Sequence, residues 1–110
     1  MQRQHRLKKS AAFAYVYRKG ERASAKDLLL ISAKSREGMK IGLSVSKKVG
    51  NAVTRNRVKR LLREGVKPLE EKIDDKYMYV IIAYPSIVQR DCAEVCKQVE
   101  LAFERAGRLV

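Results

Sequence analysis

Between residues 40 and 67 the hydrophobic pattern of the chain changes its period, and this change limits the fold more than any other feature. Ile41, Leu43 and Val45 alternate with small polar residues, which is typical of a strand with one buried face. Gly50-Asn51 interrupts the alternation, and Asn51 is a good N-cap for a helix that runs to about residue 67. A strand that leads directly into a long helix predicts a mixed fold and excludes an all-helical or an all-β domain.

The rest of the chain supplies the other elements. Ser10 precedes a short helix that Gly20 ends, and Asp91 precedes a last helix with an apolar stripe. Apolar runs at 27–34 and 77–84 predict strands, residues 35–38 predict a hairpin turn between 27–34 and 40–47, and a weak strand is expected near 21–25. The expected fold is α+β in the order α-β-β-β-α-β-α, with a sheet of about four strands packed with helices.

The chain has 110 residues, so we expect one domain over 1–110, with 1–9 as a loose basic arm. No apolar run reaches the roughly 18 residues of a membrane span. The first residues lack the apolar stretch of a signal peptide, so a cytoplasmic protein is expected.

Charge is distributed unevenly along the chain. Residues 1–67 contain 19 Lys and Arg against 4 Asp and Glu, a net +15, whereas residues 68–110 carry a net −2. Charge that served only solubility would be spread over both parts. The asymmetry indicates a polyanionic partner, with nucleic acid ahead of an anionic membrane surface.

The helix from residue 51 concentrates this charge on one face. At about 100° per residue, Asn56 and the basic residues other than Arg57 fall within an arc of roughly 140°, opposite Val58, Leu62 and Gly65, and Arg57 stands at the edge. A charged helix face is usually only solvated, but this arc contains no acid to pair with its cations. Nucleic-acid binding is therefore the preferred interpretation. A DNA-binding helix-turn-helix is excluded because a strand, and not a short helix, precedes this helix.

The run from Gly42 to Glu64, with Arg55-Asn56-Arg57 at its centre, resembles the signature of the bacterial ribonuclease P protein component. The resemblance extends to the start at 6–9, to the aromatic pair Phe13 and Tyr17, and to the strand at 79–83. It implies a fold like the second domain of ribosomal protein S5, with a left-handed β-α-β crossover.

The resemblance also implies a function. Family members are subunits of a ribonucleoprotein endonuclease that removes the 5′ leader of precursor tRNA, in which a catalytic RNA uses Mg²⁺ and the protein supplies no catalytic side chain. The expected partners are therefore this RNA subunit and precursor tRNA, with no DNA and no membrane. The residues expected to contact the RNA subunit are Lys47, Lys48, Asn51, Arg55, Asn56, Arg57, Lys59, Arg60 and Arg63. The residues expected to line the cleft for the single-stranded leader are Phe13, Tyr17, Ile31, Ser44 and Ser46.

The leader cleft also has support from residue chemistry. Aromatic rings beside hydroxyl donors can stack on unpaired bases of any sequence. From periodicity alone, Phe13 is better interpreted as a core residue of a short amphipathic helix, and only the resemblance favours a site there. Ile31 matches a position that is often aromatic in the family.

The remaining candidates are weaker. Cys92 and Cys96 lie on an apolar stripe and are expected to be buried thiols, with no metal site. His5 is an improbable catalyst because it lies in the basic arm. The acidic pairs at 70–71 and 74–75 are expected in a solvated turn. An alternative function is that of a ribosomal-protein-like structural RNA-binding protein, which would share the charge and the size.

Overall fold

The computed structural model describes all residues, 1–110, and contains three helices and four strands. The chain order α-β-β-β-α-β-α and the α+β class are confirmed. The elements are α1 (Ser10–Lys19), β1 (Glu21–Ser24), β2 (Leu28–Lys34), β3 (Lys40–Ser44), α2 (Ala52–Val66), β4 (Tyr77–Ala83) and α3 (Cys92–Ala106). Short 3-10 turns cover Arg3–His5, Lys67–Lys72 and Pro85–Gln89. No helix is long and apolar enough to cross a membrane.

The four strands form one sheet in the order β1-β2-β4-β3. β2 pairs antiparallel with β1 and with β4, and β3 pairs parallel with β4. The predicted hairpin between β2 and β3 is therefore wrong, because β4 lies between them. β4 takes a central place because almost all of its residues are apolar and buried on both faces of the sheet, which an edge strand would leave half exposed.

The two faces of the sheet are covered unequally. Leu30, Ile41 and Tyr79 point into the main core, which also receives side chains from α2 and α3. On the other face α1 covers a small core around Val16 and Ile31. Since α1 is a single short helix, one end of this face stays open to solvent.

The parallel pair of β3 and β4 requires a crossover connection, and α2 provides it. α2 therefore links two strands that pair directly with each other, and it packs against α3. The left-handed sense of the crossover stays an expectation from the resemblance.

A buried carboxylate fixes the corner where β2 begins. Asp27 is 1% exposed and accepts hydrogen bonds from Ser86 Oγ (2.6 Å), Arg90 Nε (2.7 Å) and Gln98 Nε2 (2.6 Å). Although burial alone would raise the pKa of Asp27, the hydrogen bonds and the charge of Arg90 hold it below its usual value. All charge at this corner is thus balanced within the protein. The same corner leads into α3, where Asp91 caps the helix in a capping box with Glu94.

Candidate nucleic-acid interface

The start of α2 is built as the sequence predicts. Asn51 is the N-cap, and its side-chain oxygen accepts a hydrogen bond from the backbone N–H of Thr54 at 2.9 Å. The first turn contains no acidic residue, so the positive end of the helix dipole is not offset. Lys47 and Lys48 are exposed in the turn just before it. The beginning of α2 is therefore a region of positive potential.

One face of α2 is fixed by packing. Val58, Leu62 and Gly65 are buried, as predicted. A side-chain Cβ at Gly65 would lie 2.9 Å from Cγ2 of Val99, so the absence of a side chain lets α2 and α3 approach closely. This close packing determines which residues of α2 face outward.

The opposite face carries a stripe of cations that have no acidic partner. None of its basic residues takes part in an ion pair. The Nε atoms of Arg55 and Arg63 are buried and have no hydrogen-bond partner in the protein. Buried polar groups are normally satisfied, so these two N–H groups are donors that an external acceptor could use once the side chains rotate outward. We call this set the basic face of α2, and it comprises Arg55, Asn56, Arg57, Lys59, Arg60, Arg63 and Lys67.

Arg57 is the one member of the basic face whose side chain forms a hydrogen bond to the rest of the fold. Its guanidinium donates to the backbone oxygen of Arg90 at a long 3.4 Å. Asn56 and Arg60 are exposed, and Lys59 is half-buried. Apart from Arg57, the predicted RNA-subunit residues thus lie on one side of α2 and in its preceding turn, while their role toward RNA stays a prediction.

The N-terminal segment is not a loose arm, so that prediction is wrong. The backbone N–H of Leu7 donates to the oxygen of Ile41 on β3 at 2.9 Å, which extends the sheet edge by one bridge. Glu70 accepts hydrogen bonds from the backbone N–H of Gln2 (2.8 Å) and pairs with Nδ1 of His5 at 2.7 Å. The side chain of Glu70 is only 7% exposed, so the prediction of a solvated turn is wrong for this residue. The segment is fixed because it finds backbone and carboxylate partners far away in the sequence.

This docking brings further cations to the basic face. Arg6 lines a cavity of about 690 Å³ together with Arg60, Arg63 and Lys67. Although burial alone would raise the pKa of Glu70, the hydrogen bonds from Gln2 and His5 keep it low, so Glu70 stays ionised at neutral pH. The anchor carboxylate is already occupied by its own partners, and the cations across the cavity remain unpaired.

A groove connects α1 to the basic face. The ring of Phe13 lies directly over Gly42 of β3, where a Cβ would come within 2.4 Å of the ring. Gly42 therefore permits the close approach of α1 to this strand. Phe13 lines a groove of about 280 Å³ whose wall also includes Leu43, Lys59 and Arg63. The aromatic residue and two cations of α2 thus share one concave surface.

Of the predicted cleft residues, only Phe13 lines this groove. Tyr17 is 39% exposed, and its ring centroid lies 6.3 Å from that of Phe13, which is half-buried. Ser46 is exposed and Ser44 is half-buried. Ile31 is wrong as a surface residue of the cleft: it is fully buried beneath α1, where its methyl group would clash with any side chain at Gly20.

Two residues that the sequence analysis missed occupy the open part of this face. Leu29 pairs with Ile82, and Ile82 pairs with Ser44, so the three side chains form a row across β2, β4 and β3. Leu29 and Ile82 are half-buried and pack at the edge of the small core. Strand alternation could have identified Leu29, because it lies two residues before Ile31 on the same face.

The other polar candidates do not all lie together at one place. No group of three or more His, Cys, Asp or Glu side chains could hold a metal ion. The prediction of two buried thiols is wrong for Cys92, which is exposed, while Cys96 is half-buried. Burial raises the pKa of the Cys96 thiol, and the neighbouring Cys92 adds to that rise.

Comparison with known proteins identifies the family. A family model described as ribonuclease P matches residues 1–107. The chain is 38% identical over 109 residues to the ribonuclease P protein component of Bacillus cereus strain Q1, covering 97% of this chain and 95% of the relative. It is 37% identical over 109 residues to the protein of the same name from Bacillus anthracis strain CDC 684, covering 97% of this chain and 92% of the relative.

Solved structures agree with this result. The RNase P protein of Staphylococcus aureus superposes with a TM-score of 0.88 at 29% identity, covering 96% of this chain and 98% of that chain. The RNase P protein of Thermotoga maritima shares the fold, with a TM-score of 0.80 at 21% identity over 90% of this chain and 96% of that chain. The family model, the relatives and the fold therefore agree. The chain belongs to the family of bacterial ribonuclease P protein components, which are subunits of a ribonuclease holoenzyme.

Proposed function

We propose that this chain binds the catalytic RNA subunit of ribonuclease P through the basic face of α2 and holds the single-stranded 5′ leader of precursor tRNA in the groove beside α1. In this way it assists the Mg²⁺-dependent endonucleolytic removal of the leader in the cytoplasm. The observation that carries the proposal is the continuity of the two surfaces. Lys59 and Arg63 belong to the basic face and also line the groove that contains Phe13.

The basic face suits the phosphates of a folded RNA. Arginine can donate two parallel hydrogen bonds to one phosphate, and such charge-assisted bonds are stronger than neutral ones. Arg55 and Arg63 each hold a buried Nε–H without a partner, and rotation of the side chain outward would bring it to a phosphate oxygen. The N-terminal end of α2 and the lysines before it add positive potential without selecting a sequence.

The sheet face beside α1, which Phe13 joins to the groove, suits an unpaired strand. Tyr17 offers an exposed aromatic surface next to Phe13, and Leu29, Ile82 and Ser44 form a row across the sheet. Stacking on aromatic rings accepts every base, while serine hydroxyls can reach sugar or phosphate oxygens. A leader that differs from one precursor to another needs this kind of contact.

The contribution of the protein to the reaction is binding and electrostatics. Mg²⁺ bound by the RNA subunit supplies the cleavage chemistry, and the side chains of this protein bind and orient the two RNAs. Both RNAs are polyanions that repel each other. A protein with a net charge of +13 placed between them reduces this repulsion, so the complex needs less Mg²⁺ to form.

Removal of three cations from the basic face tests the proposal. We expect Arg55→Ala/Arg57→Ala/Arg60→Ala to weaken binding of the RNA subunit and to reduce the slope of log K against log salt by roughly 2–3 units, because each lost phosphate contact accounts for about 0.7–0.9 of a unit. Filter binding or fluorescence anisotropy over a range of KCl concentrations measures this slope.

The matched control removes three other cations. Arg22, Lys26 and Lys97 are exposed, belong to segments other than α2 and make no ion pair. Their triple alanine variant has the same net charge as the first one. Because these residues lie outside the basic face, we expect the variant to change the slope by less than about one unit. Equal slopes for the two triple variants would mean that only total charge matters, and the basic face would lose its assigned role.

A further inference from the structure

Two thiols lie side by side on the surface of α3, and the RNA-binding proposal uses neither. Cys92 is exposed, Cys96 is half-buried, and their Sγ atoms are 3.8 Å apart. Cys96 packs against the buried side of α2, where a Cβ at Gly65 would lie 3.3 Å from the Cys96 Cα. The pair thus lies where α3 faces α2, and Arg57 is the member of the basic face that reaches toward α3, through its hydrogen bond to the backbone oxygen of Arg90.

Helix geometry favours a bridging atom between these thiols over a direct disulfide. Residues four apart on a helix have Cβ atoms about 5–6 Å apart. A disulfide requires a Cβ to Cβ distance of about 3.5–4.5 Å, so closing one here would distort α3. Two metal–sulfur bonds of about 2.3 Å each can span up to roughly 4.6 Å. The observed 3.8 Å separation lies within that reach after small side-chain rotations.

The ligand set determines which ion fits. No third His, Cys, Asp or Glu joins the pair in a group that could hold a metal. Structural zinc takes four protein ligands and would lack two of them here. Soft thiolate sulfur selects soft ions such as Cu(I), for which two thiolates are a sufficient set.

We propose that Cys92 and Cys96 form a two-coordinate binding site for one soft monovalent metal ion, with Cu(I) as the probe of this class. The ion replaces the protons of both thiols. Two protons are released, two metal–sulfur bonds form, and the bis-thiolate complex carries a net charge of −1. No electron transfer is involved.

Anaerobic titration of the full chain with Cu(I), in competition with a chromophoric Cu(I) chelator, tests the site. We expect the protein to take one ion per chain from the chelator. Cys92→Ser and Cys96→Ser should each lower the affinity by about 10²–10⁴-fold, because the second thiol then no longer acts at a high effective concentration. Serine keeps the size of cysteine, and circular dichroism verifies that each variant is folded.

A double variant provides the matched control. Cys96→Ser/Lys97→Cys keeps two cysteines on α3, but at about 100° per residue it places them roughly 140° apart around the helix. Lys97 is exposed, so the new side chain should be tolerated. This variant should bind Cu(I) as weakly as the single-thiol variants. Affinity equal to that of the unmodified chain, in this variant or in either serine variant, would overturn the proposal.

Discussion

Arginine has opposite roles in two regions of this molecule. At the corner where β2 begins, Arg90 donates to Asp27 at 2.7 Å, and the carboxylate is completed by Ser86 and Gln98. On the basic face of α2, Arg55 and Arg63 have buried Nε–H groups with no acceptor in the protein. One region satisfies its charge internally, and the other leaves its charge for an external partner.

This difference indicates which charges maintain the fold and which serve binding. A buried carboxylate with three donors is costly to disturb, because removing it leaves its partners unsatisfied. Unpaired cations on one helix face repel each other and add nothing to the stability of the isolated chain. Stability and RNA affinity should therefore respond to different sets of substitutions.

The largest effect is expected from the paired corner. Asp27→Ala leaves Ser86 and Gln98 without their acceptor, and it leaves the Arg90 guanidinium, which is 23% exposed, with only its longer ion pair to Glu94 at 3.8 Å. We expect the free energy of unfolding in urea to fall by about 3–5 kcal/mol. The exposed Asp75 has no such partners, so Asp75→Ala should change the free energy by less than about 0.5 kcal/mol. If both variants were equally stable, the corner would not be a stabilising cluster.

The carboxylates of this corner and of the N-terminal docking site should make stability depend on pH. The pKa values of Asp27 and Glu70 are lower in the folded protein than their usual values, by hydrogen bonding that overcomes the effect of burial. Their contribution is complete above the unfolded-state values of about 4 and is lost as pH falls through the lower folded-state values. Urea unfolding at several pH values below about 5 should show falling stability. Asp27→Asn/Glu70→Gln should flatten this dependence, and an unchanged profile in the double variant would contradict the account.

In the unpaired region, the groove can be tested separately from the basic face. Tyr17→Ala should leave binding of the RNA subunit unchanged and weaken affinity for precursor tRNA by about 1–3 kcal/mol, the value of one base stack. Affinity for mature tRNA, which has no leader, should be unaffected. Tyr17→Phe keeps the ring and should restore precursor binding. An equal loss for precursor and mature tRNA would argue against a leader groove.

The smallest effect is expected at Asn51, which caps α2 and is also a predicted RNA-binding residue. Its side-chain oxygen caps α2, so Asn51→Ala should lower the free energy of unfolding by about 1 kcal/mol. Asn51→Asp keeps an equally good cap but adds a negative charge at the start of the basic face. We expect this variant to be as stable as the unmodified chain and to bind the RNA subunit more weakly. Unchanged RNA binding by Asn51→Asp would limit Asn51 to its structural role.

Much of the fold could be predicted because its signals are local. The N-cap at Asn51 and the buried positions Val58, Leu62 and Gly65 of α2 followed directly from helical period and capping chemistry. The strand predicted at 77–84 is observed at Tyr77–Ala83 because a run of apolar β-formers has few alternatives.

What could not be predicted depends on partners that are distant in sequence. The alternation at 40–47 indicates a strand but does not say which strand lies beside it, and the insertion of β4 replaced the expected hairpin. The docking of the first residues depends on Glu70, and the burial of Ile31 depends on where α1 crosses the sheet. Similarly, Cys92 belongs to the apolar stripe of α3, but the stripe alone does not show that this residue is exposed.

The most direct test of the central claim is cleavage of a labelled precursor tRNA at low Mg²⁺. The assay compares the protein alone, the RNA subunit of the same organism alone, and both together. We predict efficient cleavage only in the mixture, at the mature 5′ end, with the Arg55→Ala/Arg57→Ala/Arg60→Ala variant giving less stimulation. RNA binding without stimulation of cleavage would contradict the account and would favour a purely structural RNA-binding role.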